Sequence, residues 1–114
     1  MSAAAAIAAS VASAISLGAS PPACPPGEAN CASAAGSIIY VERVDPDGDG
    51  DAHFVLASRE GVTAPGISVI DVRADLRPSP LPGPGDLLGA AGPVFTGSYG
   101  QRQIQAVDVR AVSR

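Results

Sequence analysis

Four aspartates at alternate positions of one short segment are the residues of this chain best suited to chemistry. The segment 45–51 reads DPDGDGD. Its carboxylates belong to Asp45, Asp47, Asp49 and Asp51. Because Ca²⁺ takes about six to eight oxygen ligands, carboxylates at every second residue can wrap around one ion. The spacing matches the opening of a calcium loop, although Leu56 stands where an EF-hand carries its bidentate Glu. A solvated Asp/Gly hairpin turn is the interpretation we favour, and a non-EF Ca²⁺ site completed by an acid such as Asp51 or Glu42 is the alternative.

The remaining candidates for chemistry are few. His53 is the only histidine, and it shares a strand face with Asp51, so the two could form a weak metal or acid/base pair. A surface histidine beside an acidic turn is the simpler interpretation. Ser98 lies in GSYG, which lacks the G-x-S-x-G spacing of a nucleophile elbow. We therefore predict no catalytic residue and no enzyme activity.

The two cysteines indicate an oxidising compartment. Cys24 and Cys31 bound the segment CPPGEANC. A small disulfide loop is the interpretation we favour, and two unpaired thiols are the alternative. The spacing is not the C-x-x-C of a redox motif. Pro21 and Pro22 stand where a lipobox has aliphatic and small residues, which argues against a lipid anchor.

The first 20 residues are almost entirely Ala, Ser, Ile, Val and Leu. They provide the apolar region and the small residues of a signal peptide, but no basic residue precedes Arg43. We predict a signal peptide that is complete or truncated at its start, with a disordered Ala/Ser tail as the alternative. The expected location is secreted or in the cell envelope.

Composition limits the other function classes. The formal net charge is −4, all seven basic residues are Arg, and no basic stripe marks a nucleic-acid surface. Arg without Lys, together with abundant Ala, Gly and Pro, is typical of a GC-rich bacterial gene. We expect no membrane span after the leader, because no sufficiently long apolar run follows it.

The rest of the chain predicts a Pro-rich linker over 21–36 and one all-β domain over 37–114. Short runs that favour strands are separated by segments with Gly or Pro. The runs cover 37–44, 52–58, 67–73, 86–96 and 101–110. Alternation places Phe54, Leu56 and Ile70 inside, and a change of phase near Ala106 predicts a bulge.

Two stretches resemble the last two strands of an OB-fold. Residues 85–94 read GDLLGAAGPV and residues 103–109 read QIQAVDV; in that family the fourth strand often begins Gly-Asp and has a Gly at its middle. The resemblance implies a small five-stranded OB-like barrel, here preceded by a disordered Ala/Pro-rich N-terminal segment. OB-folds usually carry a helix between strands three and four, but prolines at 78, 80, 82 and 84 exclude a normal helix here. An open β-sandwich or a hairpin-based sheet is the alternative.

The resemblance also implies a binding face on strands two and three and on two loops. In this sequence that face comprises His53, Val55, Val69, Asp71, Arg73, the loop 45–51 and residues 96–101. We single out His53, Arg73 and Tyr99 as ligand-binding residues. Because the acidic loop repels phosphate, a protein, glycan or ion is the expected partner rather than nucleic acid.

The expected function is an exported, non-enzymatic binding or accessory module. One alternative is a calcium-stabilised structural domain of the envelope or an extracellular assembly. The other is a single-stranded nucleic-acid-binding OB domain, which would need a positive groove with aromatic rings.

Overall fold

The computed structural model describes residues 21–43, 51–97 and 100–112. The signal peptide and the disordered segment predicted over residues 1–20 lie outside this part of the chain. The described elements are β1 (Cys31–Arg43), β2 (Ala52–Ser58), β3 (Ile67–Val72), a 3₁₀ turn (Ala74–Leu76), β4 (Leu87–Thr96), β5 (Arg102–Gln105) and β6 (Asp108–Val112).

Five of the strands form a closed ring. The sheet order is β1-β2-β3-β5-β4-β6, and β1 pairs a second time with β4. The β3–β5 pair is parallel, and the other pairs are antiparallel. After β5, strand β6 continues along β4 outside the ring. The prediction of an all-β, five-stranded barrel is therefore confirmed.

The first strand begins earlier than the sequence indicated, at Cys31 instead of residue 37. Residues 31–37 pair with β4, and Ala34 and Ala35 are buried there. The segment 31–36 is therefore part of the barrel and not of a linker. This part of β1 was not predicted because Ala and Ser favour strands weakly, and residues 31–36 show no alternation of apolar and polar side chains.

The residues before β1 also pack on the barrel. Pro22 is fully buried, and its carbonyl oxygen accepts a hydrogen bond from the Ser33 hydroxyl at 2.9 Å. Cys24 and Cys31 form a disulfide, as predicted, which ties this segment to the start of β1. The backbone N–H of Val94 donates to the carbonyl of Asn30 at 2.9 Å. The stretch 21–30 is therefore attached to the barrel and is not a free linker.

The core follows the predicted alternation. Inward side chains from every strand of the ring form one apolar cluster, and the largest fully buried ones are Phe54, Ile38, Leu56, Ile70, Leu88 and Ile104. Between β3 and β4 only the three-residue 3₁₀ turn is helical, in agreement with the exclusion of a helix by the prolines.

The predicted bulge near Ala106 is a break between β5 and β6. Strand β5 ends at Gln105, and β6 begins at Asp108. Between them, the N–H of Ala106 donates to the backbone carbonyl of Asp71 at 3.0 Å, and the N–H of Val107 donates to the backbone carbonyl of Ala91 at 2.8 Å. Because of this break, β5 pairs with both β3 and β4, whereas β6 pairs with β4 alone.

Two glycines allow the backbones to approach where the ring closes. Gly36 pairs with both Ser58 and Leu88, at the point where β1 passes from one neighbour to the other. A Cβ on Gly36 would lie 1.8 Å from the carbonyl oxygen of Ala57. A Cβ on Gly92 would lie 2.0 Å from the carbonyl oxygen of Gln105. Both neighbours are backbone atoms, so any side chain here forces strands apart.

We expect Gly92→Ala to destabilise the barrel by about 1–3 kcal/mol or more, because overpacking at backbone contacts costs this much. Gly83→Ala is the matched control, since a Cβ there meets nothing within 4 Å. Urea denaturation of the three proteins measures the free energy of unfolding. Equal stability of Gly92→Ala and the unsubstituted chain would contradict the close approach.

Candidate functional site

The candidate site lies on the outer face of the barrel, where strand pairing aligns side chains in two rows. The first row consists of Tyr40, Val55 and Val69. The second row consists of Glu42, His53 and Asp71. Directly paired residues on neighbouring strands point to the same face, so each row runs from β1 across β2 to β3. Asp71 also pairs with Gln105, which extends the second row to β5.

An irregularity in β1 turns two members of these rows outward. The pairing of β1 with β2 shifts between Ile38 and Tyr40, so Ile39 is an extra residue. Ile38 is 1% exposed, whereas Tyr40 is 58% exposed. With strict alternation, Tyr40 and Glu42 would share the inner face with Ile38. The bulge therefore places an aromatic ring and a carboxylate beside His53.

A groove of about 550 Å³ lies over the two rows. Phe95 of β4 lines its far side, opposite Tyr40, and is 37% exposed. Gln101 and Gln103 add amide groups to the lining. A Cβ on Gly97 would lie 2.8 Å from the Gln103 amide nitrogen, so the glycine leaves room for this side chain. The groove thus has an aromatic ring at each side and polar groups between them.

His53 lies between two carboxylates. Its Nδ1 is 3.3 Å from Oε1 of Glu42, and its Nε2 is 3.3 Å from Oδ1 of Asp71. The side chain of His53 is 22% exposed, that of Glu42 60% and that of Asp71 10%. The Asp71 carboxylate, and to a lesser extent that of Glu42, raises the pKa of His53, and burial of the imidazole opposes this effect.

The Asp71 carboxylate is the most unusual group of the site. Its Oδ1 atom is buried and has no hydrogen-bond partner among the described residues. The His53 Nε2 atom lies 3.3 Å from it, within ion-pair distance. Buried carboxylate oxygens normally accept hydrogen bonds, since an unsatisfied one is costly. Asp71 therefore has acceptor capacity that the described part of the protein does not use.

Both ring nitrogens of His53 face carboxylates, Nδ1 that of Glu42 and Nε2 that of Asp71. Among the described residues no group of three or more His, Cys, Asp or Glu side chains is placed to hold a metal ion. The two carboxylates lie on opposite sides of the imidazole ring and do not converge on one point.

The structure brings together much of the binding face that the OB resemblance implied. His53, Val55, Val69, Asp71 and Gln101 all line the groove. The binding face that the resemblance implied did not include Glu42, Phe95 or Gln103. Phe95 could have been found, because alternation with the inward Val94 places it outside.

Arg73 is not among the described residues that line the groove, and its role as a ligand-binding residue stays a prediction. Its Nε atom lies 3.1 Å from Oδ1 of Asp75. Residue 73 follows the last residue of β3, where the chain turns into the 3₁₀ helix, and its guanidinium pairs with this local carboxylate. Tyr99, the third selected residue, lies outside the described residues.

Three of the four aspartates of the predicted Ca²⁺ site also lie outside the described residues; they are Asp45, Asp47 and Asp49. Asp51 directly precedes β2, is half-buried and makes a polar interaction. The Ca²⁺ site therefore stays a prediction.

The fold and the site define a small all-β barrel with an acidic, aromatic-lined surface groove. The sequence matches no protein-family model, and no curated protein is significantly similar to it. In the part of the chain that the structure describes, no helix is long and apolar enough to cross a membrane.

We expect His53 to titrate above its ordinary pKa of 6.5, and Asp71→Asn to lower this pKa because it removes the largest stabilising partner of the imidazolium. The single histidine makes the imidazole C–H resonance unambiguous in an NMR titration of the 114-residue chain. Asp75→Asn, outside the groove, is the charge-matched control and should leave the pKa unchanged.

The same shift makes stability depend on pH. Because folding raises the pKa of His53, its contribution is complete below pH 6.5 and is lost as the pH rises through the folded-state value. His53→Gln should therefore lose more stability at pH 5 than at pH 9. A pKa at or below 6.5, with the same stability difference at both pH values, would contradict the placement of His53 between two carboxylates.

A thermal melt of the 114-residue chain in EDTA and in millimolar Ca²⁺ tests the aspartate segment. At ~100 times its dissociation constant, a native-state ligand stabilises by about 2.7 kcal/mol. In a domain of this size, that raises the midpoint by more than about 5 °C. Asp47→Asn should abolish the shift. Equal midpoints in both buffers would leave a solvated turn as the interpretation of this segment.

Proposed function

We propose that this chain is an exported, non-catalytic binding module that holds its ligand in the outer groove of the barrel. One observation carries the proposal: a groove flanked by exposed aromatic rings contains a buried carboxylate oxygen without a hydrogen-bond partner among the described residues. Neither feature is needed to close the ring of strands. Aromatic rings supply large contact areas, and polar groups between them fix the orientation of a ligand.

The groove occupies the face on which OB-folds bind their ligands, strands two and three together with the neighbouring loops. Membership of that family remains part of the proposal. The pairing of His53 with Asp71 and of Val55 with Val69 supports it, because these outward side chains form the centre of the groove.

The chemistry of the groove supports a ligand other than nucleic acid. Its described lining contains the carboxylates of Glu42 and Asp71 and no Arg or Lys. Phosphates bind to sites rich in Arg and Lys, and negative charge in the groove repels them. A protein, a glycan or an ion is therefore the favoured ligand.

The proposed export is supported by the Cys24–Cys31 disulfide, which fastens the segment before β1 to the barrel. Disulfides persist in oxidising compartments and are rare in the cytosol. The apolar residues of the first 20 positions are consistent with this location, since they match the central part of a signal peptide.

The proposal predicts that one class of ligand binds in the groove and is not itself converted to a product. The experiment is a ¹H–¹⁵N NMR titration of the 114-residue chain with a neutral oligosaccharide, a basic peptide, an acidic peptide and a single-stranded oligonucleotide. We expect shifts concentrated at His53, Val55, Asp71 and Phe95 for one probe, and recovery of that probe intact.

Two results would contradict the proposal. Shifts that map only to the opposite face, near Arg77 and Leu81, would move the binding surface away from the groove. If a probe is converted to product and this conversion is lost in His53→Gln, the protein is an enzyme and not a binding module.

A further inference from the structure

We propose that the ligand of the groove is an extended basic segment of a partner protein, with an arginine or lysine side chain placed on the row of Glu42, His53 and Asp71. This inference rests on the proposed binding function and names the chemical class of its ligand. It is carried by three observations: the charge of the groove, the unsatisfied carboxylate oxygen, and the two aromatic flanks.

The charge of the groove is negative for either protonation state of His53. Its described lining contains two carboxylates, from Glu42 and Asp71, and one imidazole. When His53 is protonated, one carboxylate charge remains in excess; when it is neutral, both remain. No Arg or Lys among the described lining residues offsets them. A cationic ligand therefore complements the groove, and an anionic one is repelled.

The Asp71 carboxylate provides a specific partner for that cation. It is nine-tenths buried, and its Oδ1 atom makes no hydrogen bond among the described residues. Within that part of the protein, the imidazole of His53 at 3.3 Å offsets the desolvation of this oxygen only when it is protonated. An ammonium or guanidinium group donates charge-assisted hydrogen bonds to a carboxylate, and guanidinium can do so with two parallel N–H groups. A sugar hydroxyl donates a weaker, uncharged bond.

The aromatic flanks favour the same chemistry. Tyr40 precedes Glu42 by two residues on β1, so its exposed ring is adjacent to the acidic row. The faces of aromatic rings attract cations, and arginine stacks on them most often. Phe95 offers a second exposed ring at the other side of the groove. A basic side chain can therefore contact a ring and a carboxylate at once.

The shape of the face suits an extended segment. From β1 to β4 the groove crosses β2, β3 and β5, whose outward side chains lie between Tyr40 and Phe95 along the curved sheet. Alternate side chains of such a segment point toward the barrel.

The test compares two capped hexapeptides of alternating Arg and Gly, one with arginine and one with citrulline in its place. Citrulline has nearly the shape of arginine but no charge. We expect the arginine peptide to shift the groove amides of the 114-residue chain in NMR titrations, and the citrulline peptide to bind about tenfold more weakly or worse. Affinity for the arginine peptide should fall as salt is raised.

Single substitutions identify the carboxylate that binds the arginine side chain. Asp71→Asn should weaken binding of the arginine peptide about tenfold, since a hydrogen bond to a charged group is lost. Asp75→Asn makes the same change of charge outside the groove and should leave the dissociation constant unchanged. If Asp71→Asn does not fold, Glu42→Gln at an exposed position provides the second variant, with a smaller loss expected.

The outcomes separate this inference from the proposed function. Equal binding of the arginine and citrulline peptides, or equal loss in Asp71→Asn and Asp75→Asn, would overturn the cationic ligand. A neutral oligosaccharide that shifts the groove amides while the arginine peptide does not would also overturn it, and would leave the binding module intact. If no probe of any class shifts the groove, both proposals are wrong.

Discussion

The structure depends on the double pairing of β1, which hydrogen-bonds to β4 with its first half and to β2 with its second. This pairing closes the ring and leaves its strands without open edges there. Closure requires the backbones to approach closely, which explains Gly36 at the crossover and Gly92 on the opposite strand. It also explains the small side chain of Ala34, which points into the core, since a narrow barrel has little interior space. The composition of residues 31–36, which is unlike that of an ordinary strand, is therefore a consequence of the ring.

The position of the groove follows from the register that closure imposes. Once β2 and β3 turn Phe54 and Ile70 inward, their neighbours His53 and Asp71 must point outward and face each other. The bulge at Ile39 changes the phase of β1 and adds Tyr40 and Glu42 to the same face. The two rows of side chains in the groove are thus assembled from three strands by cross-strand pairing. A register slip of one residue would turn the whole row into the core.

The sequence predicted features whose signals are local. Gly and Pro mark the connections, alternation at Phe54 and Leu56 marks the inner face of β2, and the change of phase near Ala106 marks the end of β5. The OB resemblance implied the outer face of β2 and β3, and the groove lies there. Features that depend on distant residues were not predictable: the pairing of residues 31–37 with β4 and the extra residue in β1 leave no local pattern. Arg73 was selected from the face that the resemblance implied; its pairing with a carboxylate two residues further on had no signal in that resemblance.

The inner face of the barrel is apolar, whereas the outer face carries polar and exposed aromatic groups. This difference argues that the outer face has a role beyond folding. Small domains are stable by only about 5–15 kcal/mol, and an unsatisfied buried polar group costs about 1–3 kcal/mol. The inner face is apolar and well packed, as stability requires. The outer face instead buries an oxygen of Asp71 that makes no hydrogen bond within the described part of the chain, and it exposes Tyr40 and Phe95, which are outside the core cluster. A ligand that donates to Asp71 and covers both rings would remove each of these costs at once. The features that weaken the free domain are therefore those that a cationic, extended ligand would satisfy.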